Sequence, residues 1–392
     1  MLDKIFKIID EHFDEMVEIR RYLHQYPEVS FEEYKTAEYI ADFYKSLNIP
    51  YKKNVGGNGV IATLKGKKPG KTVALRADFD ALPIQDEKDV PYKSKNPGAM
   101  HACGHDGHTA TLLVLAKVMQ QYQDELPGTI VFLHQHAEEI PPGGAKDIVQ
   151  SGKLDHVDAV FGNHLWTLTP FGHIETRKGA FMAGTDRFEI TIKGRGGHGA
   201  YPHVTKDAIV IGSEVVSQLQ NIISRKIDPL KTAVITVGIF EAGTSFNVIA
   251  EEAKLTGTVR YLDSDVQQVV RGEMERVVKG ICEANGADYE LDYFVGYPPL
   301  VNHEAETEVV FEAASKVKEI KEAVEVNPQM GGEDFAYYVQ EKPGAFFFTG
   351  AQKETDNYPH HHPKFDFDER AMPIAAKMLI SAYFTYQEKN NK

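Results

Sequence analysis

The run FEITIK (188–193) alternates apolar and polar side chains, which is the pattern of a strand with one buried face. The segments downstream of it decide the fold of this region. Helical periodicity covers 206–223, strand-like runs cover 233–240 and 253–262, helical periodicity returns over 266–284, and a last strand is predicted over 289–295. The order β-α-β-β-α-β is the ferredoxin-like arrangement. We therefore expect residues 184–296 to form an inserted domain.

The flanks on either side have a different pattern. Residues 60–64, 72–77, 129–133 and 159–161 are short runs rich in apolar residues, and helical segments are predicted over 36–47 and 108–119. Apolar strands separated by helices indicate a central, mostly parallel sheet covered on both faces. The segment after the insertion adds a helix near 304–318, a strand over 345–349 and a final helix from about residue 370. Residues 1–183 and 297–392 are thus expected to rejoin as one α/β catalytic domain. At the start, Leu2, Ile5, Phe6, Ile9, Phe13, Met16 and Val17 recur at helical spacing and predict one amphipathic helix. No internal repeat breaks this plan.

Charge narrows the function. The formal net charge of −14 repels nucleic acid and anionic membrane surfaces, so neither is expected as a partner. Two cysteines, Cys103 and Cys282, do not make a disulfide framework in a chain this long, which suits a reducing compartment. The N-terminus lacks a signal peptide's unbroken apolar region, and no run approaches the roughly 20 apolar residues of a membrane span. A cytoplasmic protein is expected.

The densest chemistry lies in MHACGHDGH (100–108), where His101, Cys103, His105 and His108 crowd the start of a predicted helix. Imidazole and thiolate are preferred ligands of zinc-like ions. A helix N-terminus would favour the thiolate of Cys103. In HQHAEE (134–139), Glu138 and Glu139 follow an apolar strand. One of two adjacent acids can hold a metal while the other takes a proton from water. Alternate residues of a strand face opposite ways, so the backbone must turn here for both to share a pocket, and Gly143 and Gly144 give it room. Asp78 and Asp80 end another apolar strand, His164 ends a third, and His360, His361 and His362 form a triple-histidine run before Pro363. If the strands are parallel, Asp78, Glu139 and His164 meet at one sheet edge. GRGGHG (194–199) matches a dinucleotide-binding fingerprint only superficially: a loop with Pro202 comes next where that site needs a helix, and Glu214 falls inside a helix.

Taken together, RYLHQYPEVSFEE (21–33), RADFDALP (76–83), MHACGHDGH (100–108), AEE (137–139), GRGGHGAYPH (194–203), GGEDF (331–335) and HHHPKFDFDE (360–369) resemble the aminoacylase-type metallopeptidases. The similarity is to the branch of N-acyl-amino-acid amidohydrolases, hippurate hydrolases, auxin-conjugate hydrolases and N-acetyldiaminopimelate deacetylases. The resemblance implies two divalent metal ions per chain, zinc or manganese, with Cys103 bridging them. It implies His105 and His164 on one ion, and Glu139 and His361 on the other. Glu138 would be the general base, and Asp78 and Asp80 would orient the ligands. His198 would bind the substrate carbonyl oxygen, and Asn247 and Arg260 its carboxylate. It also implies a homodimer formed through the inserted domain. Two features depart from the family pattern: His136 replaces the usual proline before AEE, and three consecutive histidines stand where a His-Ser-Pro or His-Asn-Pro motif is usual, with spacing to Pro363 favouring His361.

The expected activity is hydrolysis of the amide bond of an N-acyl-L-amino acid, acetyl, benzoyl or similar. A dipeptidase or carboxypeptidase would use the same metal chemistry. A non-catalytic binding protein on this fold is the third reading, and Glu138 argues against it because a binder has no use for the base.

Overall fold

A computed structural model describes residues 1–390. The chain forms two compact units: Met1–Phe181 with Val301–Asn327 and Asp334–Lys392, and Met182–Leu300 with Pro328–Glu333.

The first unit is an α/β layer structure around one eight-stranded sheet. Its strands are β1 (Tyr51–Val55), β2 (Gly59–Lys65), β3 (Lys68–Asp78), β4 (Pro127–Gln135), β5 (Ala159–Trp166), β6 (His173–Thr176), β7 (Glu322–Glu325) and β8 (Gly344–Gly350), in the spatial order β1-β2-β4-β3-β5-β8-β6-β7. The four central strands, β4, β3, β5 and β8, run parallel. β1 and β2 add antiparallel strands on one side; on the other, β6 lies antiparallel to β8, and β7 lies parallel to β6. Central strands are apolar almost throughout because helices cover both faces: Val73, Leu75, Ile130, Phe132, Phe161 and Phe347 are all buried.

The first four helices of this unit are α1 (Leu2–Glu11), α2 (Phe13–Gln25), α3 (Tyr34–Ser46) and α4 (His105–Gln120). α4 packs against α2, β3 and the C-terminal helix Ala371–Asn390, so it is buried all round. That explains a helix with little amphipathic character. Parallel pairing also aligns strand ends: Asp78, the last residue of β3, lies beside Gln135, the last of β4.

Two expectations need correction. The N-terminal helix is not continuous, because His12 leaves helical geometry (φ −97°, ψ 12°) and separates α1 from α2. α1 buries Ile5, Phe6 and Ile9, whereas α2 buries Met16, Ile19, Arg20, Leu23 and His24, so two differently aimed faces were merged in the sequence pattern. His164 lies within β5, which runs on to Trp166, rather than at its end.

The second unit has the predicted order. Strand Gly184–Lys193, helix Ala208–Arg225, strands Ala233–Ala242 and Glu252–Tyr261, helix Ser264–Ala284 and strand Asp288–Val295 succeed one another. The four strands form an antiparallel sheet with Ala233–Ala242 at one edge and Asp288–Val295 at the other. Phe188, Ile190 and Ile192 pack with Leu255, Val259, Val270 and Met274 beneath the helices. Asp207 caps the first helix by accepting the Ile209 N–H at 2.9 Å. No α-helix starts in the 194–199 segment; a single turn at Pro202–Val204 comes next and the α-helix begins only at Ala208, so the dinucleotide fingerprint lacks its helix. Among the described residues, no helix is long and apolar enough to cross a membrane.

Arg20 joins α2 to α4 and to the C-terminal segment. It donates to Asp106 at 2.9 Å, Asp366 at 2.6 Å and Glu369 at 3.0 Å, and is fully buried. An Arg20→Met variant would leave buried carboxylates without their cation, at a cost of about 3–5 kcal/mol. Urea unfolding followed by circular dichroism should show a clearly lower midpoint for this variant; an unchanged midpoint would show that the network contributes nothing net.

Candidate metal centre

The site gathers where β3, β4 and β5 end and α4 begins. Gly104, at the α4 N-cap, has φ +95°, a left-handed conformation that suits glycine and sets Cys103 and His105 on either side of a sharp turn. Hydrogen bonds then decide which nitrogen of each ring is available. His105 Nδ1–H donates to Asp80, whose carbonyl and Oδ1 lie at 3.0 and 3.1 Å, which leaves Nε2 as the ring nitrogen facing the cluster. His164 Nδ1–H donates to the Leu165 carbonyl at 2.9 Å, and its Nε2 faces Cys103 Sγ at 3.4 Å. His108 is tied on both sides. Its Nε2 accepts the Leu165 N–H at 2.9 Å, so its Nδ1–H donates to Asp78 at 2.6 Å. Asp78 also accepts from Arg76 at 2.6 Å, and Arg76 reaches Gln135 at 2.9 Å and Asp334 at 3.1 Å.

The paired acids sit on an irregular turn. Ala137 has φ +51°, a left-handed conformation costly for a non-glycine residue, and it is held by its N–H donating to Glu33 at 2.8 Å. The Glu139 N–H donates to Asp80 at 3.0 Å. As a result both acids face the same way: Glu138 and Glu139 oxygens lie 3.9 and 3.8 Å from His105 Nε2. The glycines expected to ease this turn are only partly responsible, because the left-handed residue is Ala137 itself. His361 also adopts a left-handed φ of +66°, pinned by its N–H to the Ala102 carbonyl at 2.8 Å, and its Nε2 lies 3.3 Å from Glu139.

Potential ligand atoms therefore fall into overlapping groups, each within 4.8 Å: Cys103, His105 and His164; Cys103, Glu139 and His361; and His105, Glu138 and Glu139. Cys103 belongs to two of them. The electrostatics call for a cation. Burial opposes protonation of His105, but Asp78, Asp80 and Glu139 outweigh it and push its pKa up to about 10. Burial, Glu139, Glu138 and Asp78 push the Cys103 thiol well up, against the pull of the helix N-terminus. Burial holds His164 well down, and neighbouring imidazoles add to this. His105 Nε2 and Glu139 Oε1 are buried without a hydrogen-bond partner among the described residues, each a penalty of about 1–3 kcal/mol. A divalent ion ligated by these atoms would replace the His105 proton, stabilise the thiolate and satisfy both orphaned atoms. The thiolate, imidazole and carboxylate set fits such an ion.

The remaining predicted residues lie in the second unit. His198 and Asn247 are exposed, and the two-stranded ladder that pairs His198 with Val248 joins the Gly199 N–H to the Asn247 carbonyl at 2.8 Å. His198 Nδ1 accepts the Ala200 N–H at 3.1 Å, which leaves Nε2–H as a donor. Arg260 is half-buried, and its guanidinium donates to the Val259 carbonyl at 3.1 Å. Of the triple-histidine run, His362 turns away: its Nδ1 accepts the Lys364 N–H at 3.0 Å and its ring stacks on Tyr358. Sequence reasoning counted His108 among the clustered histidines but gave neither it nor Arg76 a role, and it did not single out Gln135 or Asp334. The available signal was that Arg76 stands inside RADFDALP and His108 inside MHACGHDGH.

An α/β unit whose sheet edge gathers carboxylates, imidazoles and a thiol in this way defines a metallohydrolase of the amidase and peptidase class. The chain belongs to that class as a member of peptidase family M20/M25/M40, whose family model matches residues 74–384. It is 56% identical over 387 residues to YhaA of Bacillus subtilis (strain 168), covering 98% of each chain. It is 48% identical over 302 residues to an N-acyl-L-amino acid amidohydrolase of Geobacillus stearothermophilus, covering 77% of this chain and 82% of that one. The crystal structure of Bacillus subtilis YxeP, described as a dinuclear metal binding peptidase of the M20 family, superposes with a TM-score of 0.83 at 36% identity, covering 97% of this chain and 99% of that one.

Asp80 fixes the His105 ring and the Glu139 backbone together. We expect Asp80→Ala to weaken metal binding roughly 10- to 100-fold, measured by equilibrium dialysis with zinc and with manganese. Unchanged affinity would show that Asp80 does not set the ligand geometry.

Proposed function

We propose that this protein is a two-metal amidohydrolase that cleaves N-acyl-L-amino acids into a carboxylate and a free amino acid. The observation that carries this reading is the convergence of Glu138 and Glu139 on His105 Nε2, with Cys103 shared between two ligand groups. The similarity to an N-acyl-L-amino acid amidohydrolase supports the substrate class. We assign Cys103, His105 and His164 to one ion, and Cys103, Glu139 and His361 to the other; either zinc or manganese suits these ligands. When bound, the ions supply Lewis acidity and make a water more acidic at neutral pH.

This chain's own groups do the rest. Glu138 is buried against His105, accepts a proton from the attacking water and returns it to the leaving amine. Asp80 and Asp78 keep the imidazoles in place, Asp78 acting through His108. His198, with Nε2–H as a donor, would stabilise the carbonyl oxygen as it gains charge. Asn247 and Arg260 would recognise the substrate carboxylate, for which the planar guanidinium is well suited. In this reading residues 1–183 and 297–392 are catalytic, and 184–296 form the lid and dimerisation domain. The exposed apolar residues Val234, Ile239 and Phe240 on the edge strand Ala233–Ala242 support a homodimer. Unpaired Cys103 and Cys282 support a cytoplasmic setting. Peptidase activity is the second reading, favoured by the similarity to YxeP.

Release of free amino acid from N-acetyl- and N-benzoyl-amino acids should vanish after chelation and return with zinc or manganese. Cleavage of dipeptides alone would favour the peptidase reading, and no cleavage of either class would remove both. Glu138→Gln should lose about 10²- to 10⁴-fold in kcat while metal content by elemental analysis stays the same. Near-normal turnover would remove Glu138 as the base.

A further inference from the structure

Two members of the triple-histidine run have no part in this scheme: His362 turns away, whereas His360 faces the cluster. His360 stands immediately before His361, and its ring is placed with unusual definition. It stacks on Trp166 at 4.3 Å and 24° between planes, and Trp166 in turn stacks on Phe348 at 4.4 Å and 6°. The backbone N–H of Thr167 donates to His360 Nε2 at 3.2 Å. A nitrogen that accepts a hydrogen bond carries no proton, so the ring proton lies on Nδ1. Nδ1 faces Cys103 Sγ at 3.7 Å.

This pattern is the reverse of the one at His105 and His164. Those rings direct Nδ1–H at oxygen acceptors and turn Nε2 toward the cluster, where an ion would take its lone pair. His360 uses its lone pair on a backbone N–H and presents a proton. A ring held in that state does not ligate a metal, but it can hydrogen-bond a sulfur ligand. We infer that His360 is a positioning residue that donates an N–H···S hydrogen bond to Cys103 and moderates the charge of the thiolate shared by the two ions.

The inference rests on the proposal that Cys103 ligates both ions. A thiolate beside Glu138, Glu139 and Asp78 has three acidic neighbours, and His360 supplies a neutral donor that adds no competing ligand. A hydrogen bond to sulfur withdraws electron density from it, so the sulfur donates less to the ions and they remain stronger Lewis acids. The Cys103 backbone carbonyl is the competing acceptor for the same proton. Trp166 and Phe348 keep the ring plane fixed, which sets the direction of Nδ1–H.

The test uses the full chain loaded with cobalt(II), whose sulfur-to-cobalt charge-transfer absorption reports directly on the thiolate. A band in the wild type establishes that Cys103 is a ligand; its absence would remove that reading and this inference with it. His360→Phe retains a ring to stack on Trp166 but has no N–H. We expect its band to move to lower energy, and its cobalt to be lost to a chelator roughly 10- to 100-fold faster. His360→Asn places an N–H near the Nδ1 position and should return the band towards its wild-type energy. A His360→Phe band at the wild-type energy, with full cobalt content, would overturn the inference and leave Cys103 ligation intact. It would mean that the proton serves the carbonyl alone. If His360→Phe does not fold, ¹⁵N NMR of the zinc-loaded wild type decides. A protonated Nδ1 and bare Nε2 at His360 support the hydrogen bond, and the opposite tautomer overturns it.

Discussion

The buried carboxylate of Asp78 is the interaction on which the first unit's site depends. It terminates β3 and is held between the Arg76 guanidinium and the His108 ring. Burial alone would raise its pKa, yet Arg76, His105 and His108 hold it well below the usual carboxylate range. Through Arg76 the same charge reaches Gln135 at the end of β4 and Asp334; through His108 it reaches the Leu165 backbone in β5. One ionised group thus ties together three parallel strands and the start of α4. Buried ion pairs seldom add much net stability because desolvation offsets the attraction. Their value here is geometric: the ends of three strands and one helix cannot shift independently.

Around that fixed point the site accumulates negative charge and places few cations close by. His105 has Asp78, Asp80, Glu138 and Glu139 about it. Cys103 has its thiol pushed up by burial and by the same acids. Without an ion the cluster resolves this by holding a proton on His105. Metal binding is therefore a proton exchange, and affinity should fall as pH drops and protons compete for His105 and Cys103. Backbone strain belongs to the same design. Ala137 and His361 are both non-glycine residues in left-handed conformations, each a cost of about 1–3 kcal/mol, and each aims a group at the cluster.

Histidine tautomers divide the labour among rings that look equivalent in the sequence. His105 and His164 turn Nε2 toward the cluster because of what their Nδ1–H groups bond to. His108 is made a strut because both its nitrogens are engaged. His360 is made a donor by the Thr167 N–H. His362 is removed by Lys364 and Tyr358. None of these assignments depends on the residue type; each depends on the partner.

Much of this protein was legible in the sequence for a simple reason: a strand buried on both faces must be apolar, and a half-buried one must alternate. FEITIK (188–193) and the segments after it therefore announced the ferredoxin-like unit, and the apolar runs ending near Asp78, Gln135 and His164 announced a parallel sheet. Short peripheral strands such as β1 (YKKNV) and β7 (EAVE) escaped because they are held by neighbouring backbone rather than by an apolar pattern. The break at His12 escaped because two helices with separate buried faces share one apparent periodicity. Sequence by itself determined which residue types could form a site and the order in which the chain supplies them. Only the tertiary structure decided which nitrogen of each histidine is free, which acids share a pocket, and which of three adjacent histidines faces the thiol. Those outcomes are set by hydrogen-bond partners up to about 260 residues away along the chain, which local pattern does not record.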